Sequence, residues 1–263
     1  MDASWPRVIL RAAIVCALGF VWTWLFWFVP ANHLPVIKQV AGAVDHAVRW
    51  ATGLEGSLLW AAKSYVYVLT PVLVLYLLGK RPTALGLGEV ALYGWRIILF
   101  SLLVSLPVLI WLGLRPGMHA YYANMFQPGA WRALTANSLV IAVEHAWIEG
   151  VVLALALPGG SFGHPEDPPR TGRLAFLGFG QPPGGTTVFT WLGVPAKVLP
   201  ALVGQALIFG AVHAGKEIGE LVSAFPGGLG LGMVTYRIRS VWPSVALHLG
   251  TGAIILAVIY VSR

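Results

Sequence analysis

The chain has 263 residues, of which 57% are hydrophobic and only 10% charged. A soluble domain carries roughly 25% charge, so the composition excludes that class, and continuous apolar runs in place of alternating ones exclude a β-barrel. The net charge of +7 is spread singly or in pairs at the ends of apolar runs, which fits loop anchoring and excludes nucleic acid as a partner.

The expected fold is all-α: a polytopic transmembrane helical bundle of about seven spans, each near the ~20 residues needed to cross a bilayer. They fall roughly at 8–29, 58–78, 92–114, 131–157, 190–214, 221–237 and 242–261, with room for an eighth short or re-entrant segment. The whole chain, 1–263, reads as one integral membrane domain. The first span is too long for a signal-peptide core, and no small-residue cleavage pattern follows it, so it reads as a retained helix. Twelve tryptophans suit the interfacial belts of such a protein. The single cysteine, Cys16, sits in an apolar run and excludes an internal disulfide.

After the first span, "HLPVIKQVAGAVDHAVRWATG" repeats Ile37, Val40, Val44, Ala47, Val48 and Ala51 at helical spacing. It reads as an interfacial amphipathic helix or as a cap on the bundle. Residues 158–187 are dense in Pro and Gly and form a polar loop. Pro-Gly-Gly recurs at 158, 183 and 226, which reads as hinges. Eight basic residues fall on the N-terminal side of the membrane (Arg7, Arg11, Lys80, Arg81, Arg170, Arg173, Arg237, Arg239). Six fall on the other (Lys38, Arg49, Arg115, Arg132, Lys216, Arg263). The bias favours a cytoplasmic N-terminus; the expected location is a cell inner membrane.

The fourth span, "SLVIAVEHAWIEGVVLALAL", carries Glu144, His145 and Glu149. Ionisable groups inside a span are costly and mark function. On an α-helical wheel Asn137, Ser138, Glu144, His145 and Glu149 share an arc of about 140°. Leu139, Val140, Val143, Ala146, Trp147 and Val151 are left as a lipid face. Two later spans offer partners. In "ALIFGAVHAGKEIGE", Phe209, His213, Glu217 and Glu220 share one face if the helix continues. In "SVWPSVALHLGTGAI", Ser244, His248, Thr251 and Gly252 form a small, polar face. Glu144 and the two histidines would converge to polarise a water or bind a metal. The His213 and His248 depths conflict if the last spans simply alternate, and the conflict eases if the fifth span runs on through "AGKEIGEL". The chain has no Gly-x-Ser-x-Gly, His-Glu-x-x-His or Cys-x-x-Cys, which removes support for serine hydrolases and zincins.

The order "EHAWIEG", "FGAVH", "HLGTG" resembles the CPBP family of intramembrane proteases, the CAAX prenyl protease and bacteriocin-processing (Abi-like) group. That family shows Glu-Glu-x-x-x-Arg, Phe-x-x-x-His and His-x-x-x-Asn on successive spans. The resemblance covers residues 130–262 as a CPBP-like catalytic core, and includes the Gly-rich span and Trp-Pro entry in "GLGLGMVTYRIRSVWPSVALH". His145 replaces the second Glu, Glu149 stands where Arg is usual, and Gly252 replaces Asn. The resemblance implies that Glu144 is the general base for a water oriented by His213 and His248. It also implies a membrane-anchored or lipidated peptide as substrate and no obligatory cofactor. His145 or Asn137 would replace the missing Asn donor, and Gly252 would open space for substrate or water. Three accounts of Glu149 stay open. It pairs with His145 at i, i+4; or Glu144, Glu149, His213 and His248 bind a divalent ion such as zinc; or catalysis has been lost. The rival functions are a catalytically silent partner-binding scaffold and an ion or proton transporter. Against transport stands the lack of an inverted repeat.

Overall fold

Runs of about twenty apolar residues in lipid must satisfy their own backbone, and the helix does so locally. The computed structural model describes residues 4–28, 59–88, 90, 92–123, 130–162 and 193–262, with 39, 42, 43, 46 and 47. Most of the proposed amphipathic segment after the first span lies outside the described residues. So does most of the 158–187 loop with Arg170 and Arg173, and so does the Asn137 side chain.

In chain order the helices are α1 (Trp5–Phe28), α2 (Leu59–Leu77), α3 (Leu92–Gly113) and the short α4 (Pro116–Tyr121). Next come α5 (Ala130–His145), a π-helical segment (Ala146–Val152) and the α-turn α6 (Leu153–Ala156), joined end to end. A single 3-10 turn at Ala196–Val198 leads into α7 (Leu199–Val212), followed by α8 (Ile218–Ile238) and α9 (Trp242–Val261). Among the described residues, five helical stretches are long and apolar enough to cross a membrane: Trp5–Leu25, Gly94–Gly113, Ser138–Ala156, Ile218–Ile238 and Trp242–Val261. Tyr67–Leu77 and Ala196–Val212 are apolar but shorter. Among the described residues, five of the seven expected spans coincide with helices of crossing length, and the other two overlap shorter apolar helices.

The outer surface is apolar. Ile9, Leu10, Ile14 and Leu18 of α1, and Leu99, Leu103 and Val104 of α3, are all exposed, as lipid-facing side chains are. The exposed Trp5, Trp24, Trp95, Trp111 and Trp242 lie near helix ends, where an interfacial belt would hold them. At one end of the bundle Arg11 Nε donates to the Leu155 carbonyl (2.8 Å) and Lys80 Nζ to the Gly160 carbonyl (3.2 Å). Val241 N donates to Gly86 O and Phe162 N to Ala84 O there. Basic groups assigned from sequence to the N-terminal side thus tie that end together.

The α5–π–α6 helix differs from the amphipathic expectation. Of the six residues expected to face lipid, Val140, Val143, Ala146, Trp147 and Val151 are as buried as the polar residues between them, and Leu139 is half-buried. It is the central helix, with 78% of its span buried. Trp147 Nε1 donates to Thr23 Oγ1 of α1 (2.9 Å), and Thr23 in turn donates to Gly19 O. The wheel failed here because an apolar residue on a helix buried all round is indistinguishable from one facing lipid. Gly150 lies against the Leu85 carbonyl, where any Cβ would crowd backbone.

Helices α7 and α8 pack closely through small residues, as membrane helices do in place of hydrophobic collapse. Gly228 faces Phe209 and Gly232 faces Gln205, and no side chain would fit at either glycine without displacing its neighbour. The fully buried Gln205 donates to Gly228 O (2.7 Å). Pro226 and the two glycines after it lie inside α8, so this Pro-Gly-Gly is no hinge between elements.

Candidate active site

Glu144 and His145 end α5, and the π segment carries Glu149. A π turn holds an extra residue per turn and often marks a functional site. Here it keeps His145 and Glu149, four apart, in contact: His145 Nδ1 and Glu149 Oε2 share a hydrogen bond, with both side chains fully buried. The self-pairing account of Glu149 agrees with this geometry. On its far side, His145 Nε2 lies 2.8 Å from Nδ1 of His248 on α9. The two rings meet edge to face, with centroids 5.0 Å apart.

His213 closes α7 as its C-terminal cap. Its Nδ1 donates to the Phe209 carbonyl (2.8 Å). A carbonyl can only accept, so the Nδ1 proton is fixed, and the neutral ring presents Nε2 as an acceptor. The His213 and His248 rings are stacked at 6.1 Å, and Phe209 lies 4.7 Å from His213, 5.7 Å from His248 and 5.7 Å from His145. Phe209 is therefore the shared wall of the three histidines.

The depth conflict resolves without a longer fifth span. Helix α7 stops at Val212, so Glu217 and Glu220 are not on one helical face with Phe209 and His213; they begin α8. Registry does the work instead. Gly228 of α8 sits opposite Phe209, and Leu231 and Thr235 of α8 bond Ser244 of α9. One turn beyond Ser244 on α9, His248 arrives at the level of Phe209.

A polar cluster lies beside His213. Glu220 accepts from Tyr122 Oη (2.7 Å) and Lys216 Nζ (2.6 Å), and its Oε1 is 3.8 Å from His213 Nε2. Glu217 caps α8 by accepting from Gly219 N (2.5 Å) and Glu220 N (3.3 Å), and lies 3.8 Å from Arg115. Burial and the adjoining Glu220 carboxylate push the Tyr122 phenol above its ordinary value. Sequence reading found Glu220 but missed Tyr122, which sits in a short helix-end segment with no motif to mark it.

Glu144 is buried, and its Oε1 has no hydrogen-bond partner among the described residues. Such an orphan acceptor is costly and calls for an explanation. Thr251 Oγ1 donates to the His248 carbonyl and is spent on its own helix. At Gly252, a Cβ would meet nothing within 4 Å among the described residues. Among the described residues no group of three His, Cys, Asp or Glu side chains is placed to hold an ion.

No curated protein matches the chain, and no solved structure does. Residues 185–254 match the family described as type II CAAX prenyl endopeptidase Rce1-like. The matched segment contains Phe209, His213, His248 and Gly252, and lies beyond the helix that carries Glu144. Over those residues the chain is similar to that family of prenyl endopeptidases.

Proposed function

We propose that the chain is a CAAX-type intramembrane endopeptidase that hydrolyses a peptide bond of a membrane-anchored, prenylated or otherwise lipid-proximal substrate. Glu144 takes the proton of a water that His213 and His248 orient, and returns it to the leaving amine. The observation that carries this reading is the meeting of His213 and His248 at 6.1 Å across Phe209, beside the helix of Glu144. The orphaned Glu144 Oε1 supports it, because a carboxylate oxygen kept free of protein donors is available to a water. The acceptor at His213 Nε2 suits the second hydrogen of that water. Gly252 leaves room for a substrate backbone. The N-terminus is proposed to face the cytoplasm.

The test is cleavage of a farnesylated CAAX peptide by the protein in nanodiscs. Glu144→Gln, His213→Ala and His248→Ala are each expected to lose about 10²-fold or more in kcat/KM. Full cleavage by all three variants would overturn the assignment of these residues, and no cleavage by the wild-type protein would sink the protease reading and leave a partner-binding scaffold in its place.

A further inference from the structure

We propose that Glu149 and His145 are positioning residues that set the tautomer of His248, holding its proton on Nε2 and so making that nitrogen a hydrogen-bond donor to the site. The inference rests on the protease reading above and deepens it. It is carried by a continuous buried chain: Glu149 Oε2 to His145 Nδ1, then His145 Nε2 to His248 Nδ1 at 2.8 Å.

Each link needs one proton between its two atoms, which with a neutral His248 leaves three arrangements. In the first, Glu149 is ionised and His145 neutral with its proton on Nδ1. His145 Nε2 must then accept, and His248 donates from Nδ1. In the second, Glu149 is ionised and His145 carries both protons. His145 Nε2 donates to His248 Nδ1, so the neutral His248 carries its own proton on Nε2. In the third, Glu149 is protonated and donates to His145 Nδ1. His145 again donates from Nε2, and His248 again carries its proton on Nε2.

Charge decides among them. The first leaves a net negative charge on a pair of fully buried side chains, with Glu149 Oε1 lacking any hydrogen-bond partner. An uncompensated buried charge costs several kcal/mol. The other two are electrically neutral and differ only in which side of one hydrogen bond the proton occupies. Both give the same His248. The outcome at the site is therefore insensitive to where the proton rests within the pair.

The two site histidines then have opposite polarity. His213, locked by the Phe209 carbonyl, offers an accepting Nε2; His248, locked by His145, offers a donating one. An acceptor suits the attacking water and a donor suits the carbonyl oxygen on which charge develops. The residues at 145 and 149, where the chain departs from its family's pattern, thereby acquire a shared task.

The test is a long-range ¹H–¹⁵N spectrum of the full-length, ¹⁵N-histidine-labelled protein in nanodiscs, with the His248 signals assigned by His248→Gln. The expected wild-type result is a single His248 tautomer, protonated at Nε2 and bare at Nδ1. His145→Leu should release it into a tautomer mixture and lower kcat on the farnesylated peptide by up to about 10²-fold, with KM little changed. A wild-type His248 protonated at Nδ1 overturns the proposal whatever the activity. So does a His145→Leu protein that keeps both the single tautomer and its kcat. The wild-type spectrum decides even if that variant fails to fold. Absence of cleavage by the wild-type protein would instead overturn the protease reading and leave the tautomer result standing.

Discussion

Removing one member of the His145–Glu149 pair should cost far more than half of removing both. Both side chains are fully buried and share a hydrogen bond. Glu149→Leu leaves His145 Nδ1 facing an apolar group. His145→Leu leaves a carboxyl with neither oxygen partnered, because Oε1 already has none. If the survivor stays neutral, the penalty is that of an unsatisfied buried polar group, about 1–3 kcal/mol. If it keeps its charge, the penalty rises to about 3–5 kcal/mol. The double variant removes both polar groups and leaves two well-sized apolar side chains, which is often close to neutral. It still strands His248 Nδ1, on the partly exposed side of the chain, at a cost of about 1 kcal/mol. The single losses should therefore exceed the double loss when summed, by about 2 kcal/mol or more, as directly bonded pairs do. Reversible unfolding in mixed micelles measures all four corners of the cycle. Additivity within about 0.5 kcal/mol would refute the pairing.

Two further outcomes are expected. Gly232→Leu should push Gln205 off α8, break its bond to the Gly228 carbonyl and cost about 1–3 kcal/mol by overpacking; micellar unfolding reads this, and an unchanged midpoint would argue against the close α7–α8 contact. The Tyr122 phenol is raised above its ordinary 10.0 by burial and by Glu220, so above pH 10 the unfolded chain releases a proton that the folded chain keeps. Stability should fall as pH climbs past that value, and Tyr122→Phe should flatten the fall in an unfolding series from pH 9 to 11.

The positions of the helices were legible because a crossing segment needs a long, uninterrupted apolar run and little else imitates one. The three motifs were legible because ionisable groups are conspicuous there. Sidedness within the helices was not. Trp147 reads as lipid-facing on a wheel, yet it is buried and bonded to Thr23. Hydropathy cannot separate lipid from protein when both are apolar. The break after His213 was hidden for a related reason. "AGKEIGE" has the helical spacing of a continuing face, and only the capping by Glu217 shows that a new helix starts. Pairing at positions 145 and 149 was one of three accounts that the sequence left open, suggested by i, i+4 spacing; the link onward to His248 crosses 103 residues of sequence and had no local signal.

That difference in separation bears on how the protein is built. A span holding three ionisable groups enters a bilayer at a penalty of about 2.5–3.5 kcal/mol for each charged group near its centre. His248 belongs to a helix synthesised long after the span of Glu149 must cross. The His145–Glu149 contact lies within one turn of one helix, so it is available from the moment that helix forms. The pair can carry two of the three groups into the membrane with no net charge, leaving Glu144 alone to wait for its surroundings.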